Sequence, residues 1–341
     1  MSVHRQLRSL ASGLLSIAIT LLGLAALTFC IGRLLPIDPV LAVLGESASA
    51  EAYAALHSQL GLDRSLPVQF GHYLLDLLRL DFGNSLVSGQ PVLSDIARVF
   101  PATLELATVA MLIGTGLGIP LGVLAAARRN GPLDHGVRIV GLLCYSAPGF
   151  WLGLMALALF YAALGWVGGP GRLDFAYQWS YQNVTGFVLL DALWQGEWQV
   201  WRNAWAHLVL PASILGLGAF AYISRMTRSF MLEQLQQEYI VTARVKGLSW
   251  TRTLWLHAFP NIAVQVITVV ALSYAFLLEG AVLIETVFAW PGFGRYMTNA
   301  LMAGDMNAVV GCTLLVGVIF VALNQVCDWL YRLLDPRSRA H

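Results

Sequence analysis

Glu233-Gln-Leu-Gln-Gln-Glu-Tyr-Ile-Val-Thr-Ala-Arg-Val-Lys-Gly-Leu-Ser-Trp250 is a polar island in an apolar chain. Uncharged runs at 203–224 and 253–278 bound it, each long enough to cross a hydrocarbon core as a helix of about 20 residues. Backbone N–H and C=O groups find no partner in lipid, so such runs read as spanning helices. Four more uncharged runs lie at 10–32, 106–127, 139–171 and 306–327. Trimmed at their turn residues, the six runs predict spans near 10–34, 101–126, 137–165, 206–228, 262–287 and 307–332. The third run is cut short by Gly165 and the Gly168-Gly-Pro-Gly171 cluster. The expected fold class is an all-α polytopic membrane protein with six transmembrane helices.

Composition agrees. Of 341 residues, 57% are hydrophobic and 11% charged, with a mean hydropathy of +0.68. A soluble domain carries roughly 25% charged residues, so lipid must cover much of this surface. A net charge of +1 argues against nucleic acid as a partner. Cys30, Cys144, Cys312 and Cys327 all fall in apolar stretches without CxxC or metal-ligand spacing, and read as small core residues. The first apolar run is too long for a cleavable signal and reads as a retained span. With the N-terminus inside, 13 Lys and Arg residues fall on the cytoplasmic side and 7 outside, which predicts cytoplasmic termini.

The island itself reads as two helices. No helix breaker interrupts Met231 to Lys246, and Leu232, Leu235, Tyr239, Thr242 and Ala243 share a face. Gly247 stops this helix and Ser249 precedes a second, about 250–258, carrying Trp250, Leu254, Trp255 and Ala258. Small residues at Ala243 and Gly247 allow another surface to approach, with Arg244 and Lys246 charging the contact. The plainer alternative is a loop whose positive charges only fix topology.

Tyr239-Ile-Val-Thr-Ala-Arg-Val-Lys-Gly247 resembles the EAA loop of ABC importer permeases, in the dipeptide/oligopeptide/nickel branch. Val241 stands where the wider superfamily often has Glu, and Phe259-Pro-Asn261 departs from the branch's Leu-Arg-Asn. Further pieces resemble the branch in order along the chain: Leu80-Asp-Phe-Gly-Asn-Ser85, Phe100-Pro-Ala-Thr-Leu-Glu-Leu-Ala107, Ser146-Ala-Pro-Gly-Phe-Trp-Leu-Gly153, Glu285-Thr-Val-Phe-Ala-Trp-Pro-Gly-Phe-Gly294 and Leu334-Asp-Pro-Arg337. The insertion at 168–174, with Thr185-Gly186 and Leu189-Leu-Asp191, is most similar to the dipeptide permease B-type subunit.

The resemblance implies a type I importer permease fold, with the N-terminus and span 1 at 1–35, an external (periplasmic) subdomain at 36–99, and a core at 100–341. It implies ATPase coupling through residues 230–261, carried by Glu238, Tyr239, Ala243, Arg244, Lys246, Gly247 and Pro260. The implied partners are a paralogous second permease subunit forming a heterodimer, two ATPase subunits holding ATP and Mg, and an external solute-binding protein. The chain itself binds no cofactor in this reading, and the location is the bacterial inner membrane. Asp81, Trp290, Pro291 and Gly292 are the implied binding-protein contacts. Relatives of this architecture carry peptides, nickel complexes or glutathione.

Other residues leave alternatives open. The six Trp residues between 166 and 205 read as an interfacial belt or as a contact surface for an external partner. Glu105 reads as a water-exposed carboxylate near the external end of span two. Glu279, deep in span five, reads either as a pathway group favouring a cationic amine or as a structural hydrogen bond to a neighbouring span. Asn324, Gln325 and Asp328 cluster on span six, where packing and pathway lining compete. Pro120, Pro148 and Pro211 are expected to kink their spans. His207 and His257 read as interfacial.

Enzymatic chemistry has little support, since neither HExxH nor GxSxG occurs. The missing GxxxxGK[ST] loop means ATP must be hydrolysed by a partner. The rival from another class is a secondary transporter driven through Glu279 or Asp328, for which paired broken helices would be expected.

Overall fold

The structure, a computed structural model, describes residues 17–30, 32, 39–44, 49–59, 61–179 and 181–334. Arg5, Arg8, Pro36 and the Asp335-Pro336-Arg337 signature lie outside them, as does the side chain of Asp328. The described residues are almost wholly helical: α1 (Ile17–Cys30), α2 (Pro39–Leu44), α3 (Ala50–Gln59), α4 (Leu66–Leu78), α5 (Val92–Ala127), α6 (Pro132–Ser146), α7 (Gly149–Ala156), α8 (Phe175–Gln178), α9 (Val188–Gln195), α10 (Trp198–Gln234), α11 (Glu238–Val245), α12 (Trp250–Arg252), α13 (Phe259–Val287), α14 (Phe293–Met302) and α15 (Met306–Leu334). Among them, four helices are long and apolar enough to cross a membrane: α5, α10, the continuous run Trp250–Val287, and α15 through Val326. The pair α6 and α7 makes a fifth span if counted together, and α1 is a shorter apolar helix of the described residues.

The described residues form two compact units, one of those within 1–99 together with 296–322, the other of those within 100–295 and 323–334. In the first, α1 lies against α4. Phe29 meets Phe70 and Tyr73 at 5.2 and 5.6 Å between ring centroids, and Thr28 Oγ1 is 2.9 Å from the Tyr73 hydroxyl. Asp305 organises the Asp81-Phe-Gly-Asn-Ser85 stretch. Its Oδ2 accepts hydrogen bonds from the Ser85 hydroxyl at 2.6 Å and the Leu86 N–H at 2.7 Å, and Oδ1 accepts the Ala308 N–H at 3.1 Å. Gly83 is required there: its φ is +76°, and a Cβ would sit 2.9 Å from Asn307 Nδ2.

In the second unit, α10 is the axle, packing against α6, α7, α9 and α13. Its contact with α5 is a seam of small residues. Cβ atoms added at Gly114, Gly118 and Gly122 would lie 2.7 Å from Ala219 Cβ, 3.1 Å from Ile223 Cγ2 and 2.7 Å from the Ser224 carbonyl. Spacing glycines four apart on one helix face brings two backbones together, which is how apolar helices associate where lipid removes the hydrophobic driving force.

The third predicted span is bent by 100° between α6 and α7. The bend sits at Ser146-Ala147-Pro148, where Ala147 is extended with ψ 131°. Proline bars the preceding residue from helical ψ, so Pro148 breaks the segment rather than merely kinking it. Pro120 and Pro211 stay inside uninterrupted helices.

Two expectations are corrected in this unit. Glu105 is buried, not water-exposed. It pairs with Arg172 and accepts the Leu189 N–H at 2.8 Å. Arg172 also donates to the Gly186 carbonyl at 2.8 Å, so this pair ties the Gly-rich external segment to α5. His207 is buried as well, bonded to Asp174 at 3.0 Å and the Gly169 carbonyl at 2.9 Å. Of the Trp-rich segment, Trp166, Trp179, Trp194 and Trp198 are exposed, as both the belt and the contact reading require.

Candidate functional site

The polar island forms a small docked helix. α10 does not run on to Lys246. It ends at Gln234, and a turn at 235–237 leads into α11. The reason is packing. Ile240 belongs to a buried cluster with Val123, Met231, Leu254, Ile262 and Val266, so α11 must fold back to reach it. One unbroken helix would carry Ile240 about 13 Å beyond Met231 along the axis at 1.5 Å per residue.

Ala243, one turn after Ile240, is also buried. Its small side chain serves the chain's own packing, whereas the sequence suggested a close approach by an outside surface. The opposite side of α11 is free: Glu238, Val241, Thr242, Val245 and Lys246 line a shallow cavity of about 440 Å³. Val241 is 61% and Val245 83% exposed. The apolar centre of this face has an acid at one end and a base at the other.

Gly247 closes the helix with φ +82°, and its N–H bonds the Arg244 carbonyl at 3.0 Å. Arg244 lies over the Trp250 ring at 4.9 Å, clipping α11 to α12. Tyr239 bonds Gln234 and Asn261, each at 3.0 Å. The expected second helix is not a separate element. Trp250 continues through a π-helical stretch at Thr253–Ala258 into α13, so the island is fused to a span, with Pro260 exposed at its junction.

Of the polar groups expected along a pathway, Glu279 and Asn324 have described side chains. Glu279 is exposed on α13, on a strip with Phe276 and Leu283, and makes no hydrogen bond or ion pair among the described residues. The structural hydrogen bond to a neighbouring span is therefore not made among them. Asn324 is half-buried on α15.

The turn after α13 is built on a buried carboxylate. Glu285 is fully buried and accepts hydrogen bonds from the Thr103 hydroxyl at 2.5 Å and the Arg295 N–H at 2.9 Å. The Thr103 oxygen in turn accepts the Phe293 N–H at 2.7 Å. Gly292 presses on this carboxylate so closely that a Cβ would lie 2.6 Å from Oε2 and nearer still to Oε1. Trp290 is buried, its indole N–H donating to the Ala102 carbonyl at 2.9 Å. Trp290 and Gly292 thus shape the turn from within, and of these neighbours only Pro291 is exposed. Asp81 is exposed and accepts the Gly83 N–H at 2.9 Å.

The chain has relatives among known proteins. Residues 118–340 match the family described as "Binding-protein-dependent transport system inner membrane component". Residues 6–107 match its companion, "Binding-prot-dependent transport system membrane comp, N-term". This chain belongs to that family.

Among curated relatives, the permease is 45% identical to the probable D,D-dipeptide transport system permease protein of Escherichia coli K12, over 92% of both chains. It is 42% identical to the di/tripeptide transport system permease protein of Pseudomonas aeruginosa, covering 94% of this chain and 95% of that one. Its fold is similar to that of a chain in an inward-facing structure of the MetNI methionine ABC transporter, with TM-score 0.50 and 19% identity over 69% of this chain and 93% of the other. The permease is therefore a multi-pass membrane subunit of a bacterial ABC importer, a family that works with ATPase and binding-protein partners.

Sequence reasoning missed three features of the permease. Ile240 anchors α11, and the sequence does not single it out, because the adjacent Val241 is equally apolar and β-branched yet 61% exposed. Of Val241 and Val245, the apolar centre of the free face, Val241 stood out only as a missing acid and Val245 not at all. Glu285 was quoted within a motif without a role, since its partner Thr103 lies 182 residues away.

Proposed function

We propose that the chain forms one half of the membrane pathway of an ATP-driven importer of dipeptides or short oligopeptides, and that the free face of α11 docks an ATPase subunit. The second half is a paralogous permease. Two ATPase subunits bind ATP and Mg, and an external solute-binding protein delivers the solute near Asp81 and Pro291. Both termini face the cytoplasm, as the Lys and Arg distribution predicts. The permease contributes geometry, not bond chemistry. The peptide class is supported by relatives above 40% identity, whose names specify dipeptides and tripeptides.

One observation carries the docking. α11 is fixed on one side by Ile240 and Ala243 and presents Val241 and Val245 on the other. A short helix with an apolar face on each side is unusual unless a second surface covers it. Burying both valines contributes about 3 kcal/mol at roughly 25 cal/mol per Å². α11 is also fused through Trp250 to a spanning helix, so a push on it is transmitted to the span.

Val245→Glu tests this. The position is 83% exposed, so the change leaves the permease folded. The expected result is loss of ATPase co-purification and of ATP-dependent dipeptide uptake in proteoliposomes. Uptake that persists without ATPase subunits and collapses with the proton gradient overturns the reading.

A further inference from the structure

Arg225 lies on α10, on the side that carries Gly218, Tyr222 and Ser229 at helical spacing. Gly218, Arg225 and Ser229 are exposed and Tyr222 half-buried, while Ala219, Phe220, Ile223, Ser224 and Thr227 on the other sides are buried. A spanning helix that faces lipid is apolar there. A stripe of Gly, Tyr, Arg and Ser suits water or a polar passenger.

The arginine is held in place. Its guanidinium carbon is 5.6 Å from the ring centroid of Tyr145, at the end of α6, and 5.7 Å from that of Tyr222. Tyr222 precedes Arg225 by one turn, so the side chain folds back along α10, away from the polar loop after Gln234. Among the described residues the arginines in ion pairs are Arg98, Arg172 and Arg228, and Arg225 joins none. Cation–π contacts use up no N–H donor, and among the described residues the guanidinium makes no hydrogen bond. That fork matches an anion bound through two oxygens, a carboxylate or a phosphate.

We infer that Arg225, clamped by Tyr145 and Tyr222, is a station on the translocation pathway for the terminal carboxylate of the transported peptide. This rests on the peptide-importer reading. The station lies beside the break between α6 and α7, since Tyr145 immediately precedes Ser146-Ala-Pro148. A change of bend there moves one wall of the clamp and releases the anion.

The test uses the permease with its partner subunits in phosphatidylcholine nanodiscs, without the external binding protein. Binding of radiolabelled alanyl-alanine is compared with that of its C-terminal amide. The wild-type complex is expected to bind the free acid at least tenfold more tightly than the amide. Arg225→Gln abolishes the difference by weakening the acid alone, and Arg225→Lys restores it in part. Tyr145→Leu, at a ring 72% exposed and dispensable for folding, weakens the acid several-fold. Equal discrimination in wild type and Arg225→Gln overturns the inference. So does a wild-type preference that vanishes when phosphatidylglycerol is added, which assigns the site to lipid phosphate. A complex that imports dipeptides in proteoliposomes supplied with ATP and the external binding protein, yet binds acid and amide equally, refutes the station alone. One that imports no dipeptide refutes the peptide reading beneath it.

Discussion

Gly292→Ala isolates the carboxylate-based turn. Gly292 has no left-handed φ, so alanine meets no backbone penalty, and its effect is steric. The new methyl would sit 2.6 Å from Glu285 Oε2 and closer to the other carboxylate atoms. Relieving that overlap requires the carboxylate to move by about 1 Å, enough to break its bonds to the Thr103 hydroxyl at 2.5 Å and the Arg295 N–H at 2.9 Å. Hydrogen bonds to a charged, buried acceptor are worth about 1.5–3 kcal/mol each. Losing both, with some strain relieved by relaxation, costs about 3–5 kcal/mol. Equilibrium unfolding of the purified permease in mixed micelles measures it. The decisive comparison is a double-mutant cycle with Glu285→Ala, which empties the space the methyl needs. In that background Gly292→Ala is expected to cost less than about 1 kcal/mol. An equal penalty in both backgrounds refutes the steric reasoning, as does a penalty below about 0.5 kcal/mol in the wild type.

At Gly247, where φ is +82° and an added Cβ meets nothing within 4 Å, substitutions separate backbone strain from docking. Gly247→Asn, which tolerates that φ, is expected to keep ATPase-coupled uptake. Gly247→Ala lowers it modestly through about 1 kcal/mol of strain, and Gly247→Trp abolishes it in proteoliposomes. Asp305→Asn replaces an acceptor of four protein donors by a group with one acceptor oxygen. It is expected to destabilise the 83–92 segment by about 2–3 kcal/mol, read as amide exchange there some 30-fold faster or more. Unchanged exchange would show that Asp305 does not hold the segment.

Features governed by local chemistry were legible in the sequence; those that depend on distant pairs were not. The spans follow from uncharged runs, and Pro148 was legible as a kink, although the helix breaks outright at the extended Ala147 before it. Glu105 looked like an interfacial acid because its neighbours in sequence say nothing of Arg172, which lies 67 residues on. Trp290 looked like an exposed turn residue because Trp-Pro-Gly is turn chemistry, yet its indole reaches Ala102, 188 residues earlier. The coupling helix shows the same division. Its end at Gly247 was readable, but its start was not, since Leu235-Gln-Gln237 contains no breaker. There the pull of Ile240 toward Val123 and Ile262 overrides the good helix-forming preference of Leu235, Gln236 and Gln237. That override also changes which face of α11 is free. Once Ile240 and Ala243 turn inward, the outward face centres on Val241 and Val245 rather than on Arg244. A partner surface for this helix should therefore be an apolar groove with polar ends, so salt should weaken its docking far less than Val245→Glu does.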